Sequence, residues 1–284
     1  MEKLVLQVLN YNDAESIISL VERIYKYNCI SNILIVDNGS TDNSLKQLKK
    51  RYWNDKKIII IETGKNGGYG FGQNFGINYI NEKLKSNYAV ITSPGVFFSE
   101  KTIQTLLRFA KEKKAGIVSA TQKINGKVSE NAAWKIPTPF QWAFIESRLR
   151  SKIFKEYHYN KSFFYDNYSK VDCVLGAMFL VDVKKFIDVG GYDENMFLFG
   201  EETLLGFKMK KKGYSTYILN KYFYEHPIST TINKNIPSIL KQDKITHNSK
   251  LLFMEKYQKC NLITLKCIKW FFSLQEIRKS KKIS

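Results

Sequence analysis

Short apolar segments alternate with helix-like segments through the first 121 residues, and no other feature of the sequence constrains the fold as strongly. Apolar residues recur at helical spacing over residues 14–27, and a second helix is expected to begin with Thr41 or Asp42 as its N-cap. Strands that alternate with helices in this way form a mostly parallel sheet with right-handed crossovers. The sequence therefore predicts an α/β fold with a mostly parallel central sheet and flanking helices. The five predicted strands are 3–9, 32–36, 57–62, 88–92 and 116–121.

The second half of the chain carries fewer elements of this kind. Residues 171–181 and 215–219 are strand-like, and Gly200 precedes a helix that should run to about Lys212 and end at Gly213. Residues 122–170 do not continue the pattern, and we interpret them as an insertion over a cleft. Residues 1–228 would then form one domain, followed by a helical tail over residues 229–284.

Polar residues follow the predicted parallel strands where each strand ends. They are Asn10 and Tyr11, then Asp37 and Asn38, then Gly67, and finally Ser93. The carboxyl ends of parallel strands lie along one edge of a sheet, where open α/β folds bind their ligands. The pattern indicates a nucleotide pocket at this edge.

Residues 66–78 contain five glycines, and glycine is costly inside a regular helix or strand. The run connects the third strand to a helix, so it predicts positive φ angles or a close approach of the backbone to a ligand. No Lys-Ser or Lys-Thr follows at the spacing of a phosphate-binding loop. The spacing and position also fail to match the dinucleotide fingerprint, which belongs to the first strand-helix turn.

The formal net charge is +19, and only six of the 45 basic residues are arginine. Nucleic-acid binding usually depends on arginine for bidentate contacts, whereas lysine suits an anionic membrane surface. Compositional drift is a third explanation, and we expect no nucleic-acid partner. The four cysteines have no Cys-x-x-Cys spacing, which suits a reducing cytoplasm.

The tail is basic and contains aromatic residues. From Ser249 onward there are nine basic and two acidic residues, giving +7, and Trp270, Phe271 and Phe272 lie among the lysines. This pattern fits an amphipathic helix at an anionic membrane surface, and it fits a helix that packs on the domain with one solvated face. Both interpretations stay open from sequence alone.

Four motifs in this order resemble bacterial family-2 glycosyltransferases, and in particular the rhamnosyltransferase-like group that builds cell-surface polysaccharides such as capsules. The motifs are residues 36–42 (Val-Asp-Asn-Gly-Ser-Thr-Asp), the glycine run at 66–76, Gly-Tyr-Asp-Glu at 191–194, and Gly-Glu-Glu at 200–202. The resemblance covers about residues 3–226. It implies a GT-A fold with a Rossmann-like sheet, a nucleotide-diphosphate sugar as donor, and inversion at the anomeric carbon.

The resemblance also implies roles for individual residues. Glu202, with Glu201 as second choice, matches the acidic pair that supplies the catalytic base. The nucleotide would be bound by Asn10, Tyr11, Asp37, Asn38, Gly67, Gly68, Asn74 and Ser93. The acceptor would be bound by Tyr192, Asp193 and Glu194, and we add Trp134 from the insertion.

Three positions depart from the family pattern. Gly95 stands where the family has an aspartate that helps to hold a divalent metal, Leu204 replaces a further aspartate, and Lys208 replaces an arginine. Dependence on Mg²⁺ or Mn²⁺ is therefore doubtful, the metal ligands are unknown, and His226 is a weak candidate.

The sequence thus predicts a cytoplasmic glycosyltransferase, peripheral on the inner face of the cell membrane, that acts on a lipid-linked or oligosaccharide acceptor. A homodimer or other glycosyltransferases are expected as further partners. The main alternative is a non-catalytic glycosyltransferase-like partner subunit that binds nucleotide or glycan. A nucleotidyltransferase would need a glycine-rich loop with a lysine in its first strand-helix turn, and residues 10–13 have neither.

Overall fold

The computed structural model describes residues 4–129, 132–144, 157–226 and 238–283. Strands and helices alternate at the start of the chain as predicted, and the α/β class is confirmed. The elements of this first half are β1 (Leu4–Asn10), α1 (Ala14–Ile24), β2 (Asn32–Asp37), α2 (Ser44–Arg51), β3 (Ile58–Glu62), α3 (Tyr69–Tyr79, extended by a π-helical turn over Ile80–Leu84), β4 (Tyr88–Thr92), β5 (Phe97–Phe98), α4 (Glu100–Lys113) and β6 (Ile117–Ile124).

The remaining elements are shorter, except for the last strand and two long helices. They are β7 (Lys127–Val128), β8 (Ala133–Trp134), α5 (Pro139–Phe144), a 3-10 turn (Lys161–Phe164), β9 (Tyr168–Val171), β10 (Cys173–Val174), β11 (Met178–Asp182), α6 (Val183–Asp188), α7 (Glu201–Lys211), β12 (Thr216–Glu225), α8 (Ile239–Lys256) and α9 (Leu262–Ile283). The strand predicted over 171–181 is thus three strands, and the last strand is longer than the predicted 215–219.

The central sheet is mixed. Its strand order is β3-β2-β1-β4-β11-β6-β12-β5, and β9 pairs with the first four residues of β12. The first four strands are parallel, as are β6 and β12, but β11 lies antiparallel between β4 and β6. Because β11 reverses direction between them, β4 and β6 both end at the edge where β1 and β2 end. The edge predicted to bind a ligand is therefore preserved.

Helix α2 begins later than predicted. Its N-cap is Asn43, whose side chain makes no capping hydrogen bond. The carboxylate of Asp42 instead accepts a 2.8 Å hydrogen bond from the amide of Ser44. Asp42 thus stabilises the start of the helix from just outside it. At the start of α4, Ser99 is the N-cap, and its hydroxyl accepts a 3.2 Å hydrogen bond from the amide of Thr102.

Three glycines of the run lie inside α3 rather than in the loop before it. A Cβ atom on Gly72 would lie 2.4 Å from Cδ1 of Leu9, and one on Gly76 would lie 2.4 Å from Oε1 of Gln7. A Cβ atom on Gly70 would lie 2.8 Å from Cβ of Tyr192. These glycines let α3 approach the sheet and residues 191–194 closely. The free energy gained from this close packing outweighs the low helix propensity of glycine. Only Gly68, at φ 94°, has the positive φ that the run predicted.

The two tail helices pack on the domain. Phe253 and Met254 of α8 and Ile268 and Phe272 of α9 are buried in one cluster with Leu204 of α7 and with α5. The ring centroid of Trp142 in α5 lies 5.0 Å from that of Phe253. The boundary proposed at residue 228 lies outside the described residues. Within the described ranges, no helix is both long enough and apolar enough to span a bilayer.

Candidate active site

The polar ends of β1 and β2 meet directly. Asn10 and Asp37 are register partners in the parallel ladder, and Nδ2 of Asn10 donates a 2.7 Å hydrogen bond to Oδ2 of Asp37. Ser40 donates to the same carboxylate through its backbone amide (3.0 Å) and its hydroxyl (2.7 Å). Asn10 and Asp37 are both buried, so this network fixes the position of a carboxylate at the end of the sheet.

The loops after β1 and β2 are joined to each other beside this carboxylate. Oδ1 of Asn12 accepts a 2.8 Å hydrogen bond from the amide of Thr41, and the amide of Asn12 donates to the hydroxyl of Ser40 at 3.1 Å. Asn12 adopts a positive φ of 54°, which asparagine tolerates better than most residues. Tyr11 lies in the same loop and is half-buried. The two loops form one preorganised rim.

Asn38 ties this rim to the glycine loop. Its Nδ2 donates to the carbonyl of Gly68 at 3.0 Å and to Oδ1 of Asn66 at 3.3 Å. A Cβ atom on Gly68 would lie 2.4 Å from the carbonyl oxygen of Phe197, and the amide of Tyr69 donates to that oxygen at 2.9 Å. The glycine loop therefore contacts both the rim and the segment that leads into α7. The structure brings Asn10, Asp37, Asn38 and Gly68 into one connected set, with Gly67 beside it.

The acidic pair begins α7. Gly200 at φ 91° is the N-cap, and the preceding Phe199 also has a positive φ, 69°. Such a conformation is unusual for phenylalanine, and strain of this kind concentrates at functional sites. Glu201 is buried with one carboxylate oxygen lacking a hydrogen-bond partner among the described residues, while Glu202 is half-buried.

Burial raises the pKa of both glutamates, because an isolated carboxylate is poorly stabilised away from water. The neighbouring charge of Glu202 raises the pKa of Glu201 further. Hydrogen bonding from its own backbone and from the backbone of Gly176 opposes the rise at Glu202. The pKa of Glu201 is raised more strongly than that of Glu202, so Glu202 is the member of the pair that ionises more readily.

Two aromatic residues connect the acidic pair to its surroundings. The hydroxyl of Tyr69 donates a 3.2 Å hydrogen bond to the carbonyl of Gly176, where a Cβ atom would lie 2.7 Å from Oε1 of Glu202. The indole Nε1 of Trp134 donates a 3.1 Å hydrogen bond to the hydroxyl of Thr203. Trp134 thus contacts the residue that follows the acidic pair, and its contact with an acceptor stays a prediction.

The residues of the Gly-Tyr-Asp-Glu motif contact other parts of the same chain. Oδ1 of Asn74 accepts a 2.9 Å hydrogen bond from the amide of Tyr192. Nδ2 of Asn74 donates to the Tyr192 carbonyl at 3.0 Å and to Oε1 of Glu194 at 3.1 Å. Tyr192 is 2% exposed, and its ring packs edge-on against that of Tyr69. Oδ2 of Asp193 accepts hydrogen bonds of 2.6 Å from both Lys256 and Tyr257 of the tail.

This arrangement gives Asn74, Tyr192 and Asp193 structural roles. Direct contact of Tyr192 or Asp193 with an acceptor is not supported, because one is buried and the other is fully hydrogen-bonded. Glu194 is exposed and stays a candidate, and contact of Asn74 with the nucleotide stays a prediction. Sequence reasoning missed the tail residues Lys256 and Tyr257, for which no local signal exists, and Ser40, which the Asp-x-x-Ser spacing at the strand end could have indicated.

The end of β4 offers no carboxylate. The amide of Ser93 donates to the carbonyl of Ala177 at 2.8 Å, and a Cβ atom on Gly95 would meet nothing within 4 Å. His226 at the end of β12 has Nδ1 3.4 Å from Nε2 of Gln122, and burial lowers its pKa. Among the described residues no three His, Cys, Asp or Glu side chains are grouped closely enough to hold a metal. The residues present do not fit the divalent metal site of the family.

This sheet and its polar edge have the GT-A fold, and solved structures share it. GalNAc-T7 bound to UDP, GalNAc and Mn²⁺ superposes with a TM-score of 0.65 at 12% identity, covering 89% of this chain and 48% of that one. A mannosyltransferase from Pyrobaculum calidifontis, in complex with GDP-Man and Mn²⁺, gives 0.61 at 12% identity over 96% of this chain and 70% of that one. TarS of S. aureus with UDP-GlcNAc gives 0.56 at 13% identity, covering 88% and 66%.

The chain belongs to glycosyl transferase family 2, whose family model matches residues 7–187. The low-salt glycan biosynthesis hexosyltransferase Agl10 of Haloferax volcanii is 22% identical over 213 residues, 75% of this chain and 63% of that protein. The N-acetylglucosaminyl-diphospho-decaprenol L-rhamnosyltransferase of Mycobacterium tuberculosis is 24% identical over 226 residues, covering 70% and 67%. This chain thus spans somewhat less than two thirds of the haloarchaeal relative and half of GalNAc-T7.

Proposed function

We propose that this protein is an inverting glycosyltransferase that moves a sugar from a nucleotide-diphosphate sugar to a hydroxyl of a lipid-linked glycan acceptor in cell-surface polysaccharide biosynthesis. The observation that carries the proposal is the connection of two polar centres through the glycine loop. Asn38, which follows Asp37, binds this loop on one side, and the Phe197 carbonyl binds it from the segment that leads into α7 and Glu202. A donor bound at the first centre would present its anomeric carbon toward the second.

The donor nucleotide is assigned to the rim formed by the loops after β1 and β2. Asp37 is held by Asn10 and Ser40, so its carboxylate is in place before a ligand arrives. Because this carboxylate is already fixed in position, it loses little entropy when it accepts a hydrogen bond from an N–H of the nucleotide base. Tyr11 and the backbone of Gly67 and Gly68 complete this proposed pocket.

Glu202 is assigned as the general base. Its carboxylate takes the proton from the acceptor hydroxyl while the hydroxyl oxygen attacks the anomeric carbon from the face opposite the diphosphate. The bond between the anomeric carbon and the diphosphate oxygen breaks, and the nucleoside diphosphate leaves with that electron pair. General-base assistance of this kind contributes about a hundred-fold to ten-thousand-fold in rate. The raised pKa of Glu202 makes it a stronger base than an ordinary carboxylate.

No step of this proposal uses a metal ion, because the residues at the end of β4 do not fit one. The relatives support the acceptor class, since the mycobacterial relative is named for a decaprenol-linked substrate. We also propose that the reaction takes place in the cytoplasm at the inner face of the membrane. The four cysteines, all free in the structure, suit that compartment. Assembly as a homodimer or with other glycosyltransferases stays a proposal.

The first test is a thermal-shift screen against nucleoside diphosphates and their sugars. A ligand present at a hundred times its dissociation constant stabilises the folded protein by about 2.7 kcal/mol, which is readily measured. The second test compares Glu202→Gln with the wild type in a transfer assay that uses the donor found in the screen. We expect unchanged donor binding and a hundred-fold or greater loss of turnover.

Glu201→Gln is the matched control, since it makes the same chemical change one residue away. Loss of turnover in Glu201→Gln with full activity in Glu202→Gln would reverse the assignment. Donor binding without transfer or sugar-nucleotide hydrolysis in the wild type would favour the non-catalytic partner subunit. Leu204, buried where the family has a further aspartate, is the observation that keeps this alternative open.

A further inference from the structure

Helix α9 (Leu262–Ile283) has two apolar faces, and only one of them is covered. Ile268 and Phe272 on the inner face are 1% and 2% exposed, in the cluster with Phe253. Ile263, Trp270 and Ile277 recur every seven residues on the other face, and they are 77%, 66% and 51% exposed. Residues seven apart lie two turns apart on the same side of a helix. We name Ile263, Trp270 and Ile277 the outer face.

Basic side chains flank this outer face. Lys266, Lys269 and Arg278 are exposed, and their charged groups have no ion-pair partner among the described residues. Over the whole of α9 the sequence carries six basic residues and a single acidic one, Glu276. The carboxylate of Glu276 points toward the other side, where Oε1 lies 2.8 Å from Nδ1 of the buried His247. A second carboxylate near this helix, that of Asp243, is paired with Lys279 at 2.7 Å, so the unpaired charges beside the outer face are those of Lys266, Lys269 and Arg278.

The charges beside the outer face indicate what kind of partner binds there. A second copy of the chain pairing through the same face would bring lysines against lysines with no carboxylate between them, which is unfavourable. An anionic lipid surface instead offers headgroup charges to the lysines and an apolar boundary to the tryptophan and isoleucines. We propose that the outer face of α9 is the membrane-docking surface of this protein and that it binds bilayers rich in anionic phospholipid.

The contacts of the tail make this docking relevant to the candidate active site. Lys256 and Tyr257, just before α9, hold Asp193, and the hydroxyl of Ser249 in α8 donates to the carbonyl of Leu198 at 2.9 Å. Leu198 lies three residues before Glu201 in the chain. A bilayer bound to α9 would thus have a fixed orientation relative to α7. This consequence rests on the proposed function, because a lipid-linked acceptor must reach Glu202 from that bilayer.

The experiment is co-sedimentation of the full chain with vesicles, without donor or acceptor. One set contains equal parts of phosphatidylcholine and phosphatidylglycerol, and the other contains phosphatidylcholine alone. We expect binding to the anionic vesicles only, weakening as salt is raised. The variant K266Q/K269Q should bind about thirty-fold less well, from about 1 kcal/mol for each lysine. The variant I263S/W270S/I277S should lose binding.

Matched controls come from α2 and the loop after it. K46Q/K50Q makes the same change of charge at exposed lysines, and W53S removes a tryptophan that is 85% exposed. Both should bind as the wild type does. Equal loss in K46Q/K50Q and K266Q/K269Q would overturn the proposal in favour of general charge attraction. Unchanged binding by I263S/W270S/I277S would overturn it as well, and a loss of dimers in that variant by light scattering would assign the face to a second copy.

Donor binding separates this inference from the proposed function. All variants should give the wild-type thermal shift with the nucleotide, which also shows that they are folded. Nucleotide binding without vesicle binding in the wild type would overturn the docking surface alone. Vesicle binding with no response to any nucleotide would overturn the proposed function alone.

Discussion

The hydroxyl of Tyr257 donates a 2.6 Å hydrogen bond to Oδ2 of Asp193, and so the C-terminal tail is joined to the Gly-Tyr-Asp-Glu motif. Lys256 donates to the same oxygen, while Asn195 donates to Oδ1 through its amide and its side chain. Asp193 is 7% exposed, so its charge depends on these partners rather than on water. The tail and the Gly-Tyr-Asp-Glu motif are therefore expected to unfold together.

Asp193→Asn should lower the free energy of unfolding by about 2 kcal/mol at neutral pH, the usual worth of hydrogen bonds to a charged group. Burial alone would raise the pKa of Asp193, but the hydrogen bonds from Lys256, Tyr257 and Asn195 outweigh it and hold the pKa well below the usual range. The stabilisation is then complete above about pH 4 and is lost as the pH falls further. Urea denaturation of both proteins at several pH values measures it.

The control for this prediction is Lys279→Gln, which breaks the 2.7 Å ion pair of Lys279 with Asp243. Lys279 is exposed, so we expect a loss of about 0.5 kcal/mol. Similar losses in the two variants would contradict a special role for Asp193.

Glu201→Gln should stabilise the protein relative to the wild type, and this gain in stability should increase as the pH rises. Burial, followed by the charge of Glu202, raises the pKa of Glu201 in the folded state. The wild type therefore loses stability as the pH rises above the unfolded pKa of about 4.3, where only the unfolded chain releases the proton. Glutamine has no proton to release, so the gain should grow from pH 5 to pH 8 in urea denaturation. Glu255→Gln makes the same change at an exposed residue, and an equal pH dependence in the two variants would contradict the prediction.

Gly76→Ala should lower the free energy of unfolding by about 1–3 kcal/mol, although alanine is the better helix former. The added methyl group would lie 2.4 Å from Oε1 of Gln7. The Gln7 side chain is fully buried, and its Nε2 donates a 3.0 Å hydrogen bond to the Gln73 carbonyl. Gly95→Ala is the control, since its methyl group meets no atom within 4 Å. Equal thermal midpoints for the two variants would show that α3 can move away from the sheet.

Donor binding should depend little on Mg²⁺ or Mn²⁺, because the end of β4 lacks the carboxylate that oxygen-ligated cations need. Isothermal titration with the donor, with and without chelator, measures this. Gly95→Asp should make binding more metal-dependent, as the space around Gly95 admits the longer side chain. Complete loss of binding in chelator, restored by Mn²⁺, would contradict the prediction and require ligands elsewhere.

The sequence predicts those parts of the fold that depend on local patterns. Strand alternation placed β1 to β4, and the polar residues after β1 and β2 meet as expected in the hydrogen bond between Asn10 and Asp37. Both features follow from periodicity and from the geometry of a parallel sheet. The role of Glu202 as catalytic base comes only from the family resemblance and stays a prediction.

Other features depend on contacts between distant residues, and no local pattern encodes them. The glycines of α3 read as a loop because their cost to a helix is local, whereas their benefit comes from Gln7, Leu9 and Tyr192. The sequence around Asp193 does not indicate its partners Lys256 and Tyr257, which lie 63 and 64 residues away. Antiparallel insertion of β11 was likewise hidden, because a buried strand has the same composition in either direction.

The placement of β11 has a consequence for the chain as it leaves the ribosome. β4 ends at Thr92, and its outer neighbour begins only at Met178. A nascent chain can pair β1 to β4 early, but the free edge of β4 then stays unpaired until the following 90 or so residues have been made. Unpaired strand edges are templates for pairing between chains. We therefore expect a chain stopped before Met178 to aggregate during synthesis, and a longer chain to depend on chaperones until β11 has paired with the edge of β4.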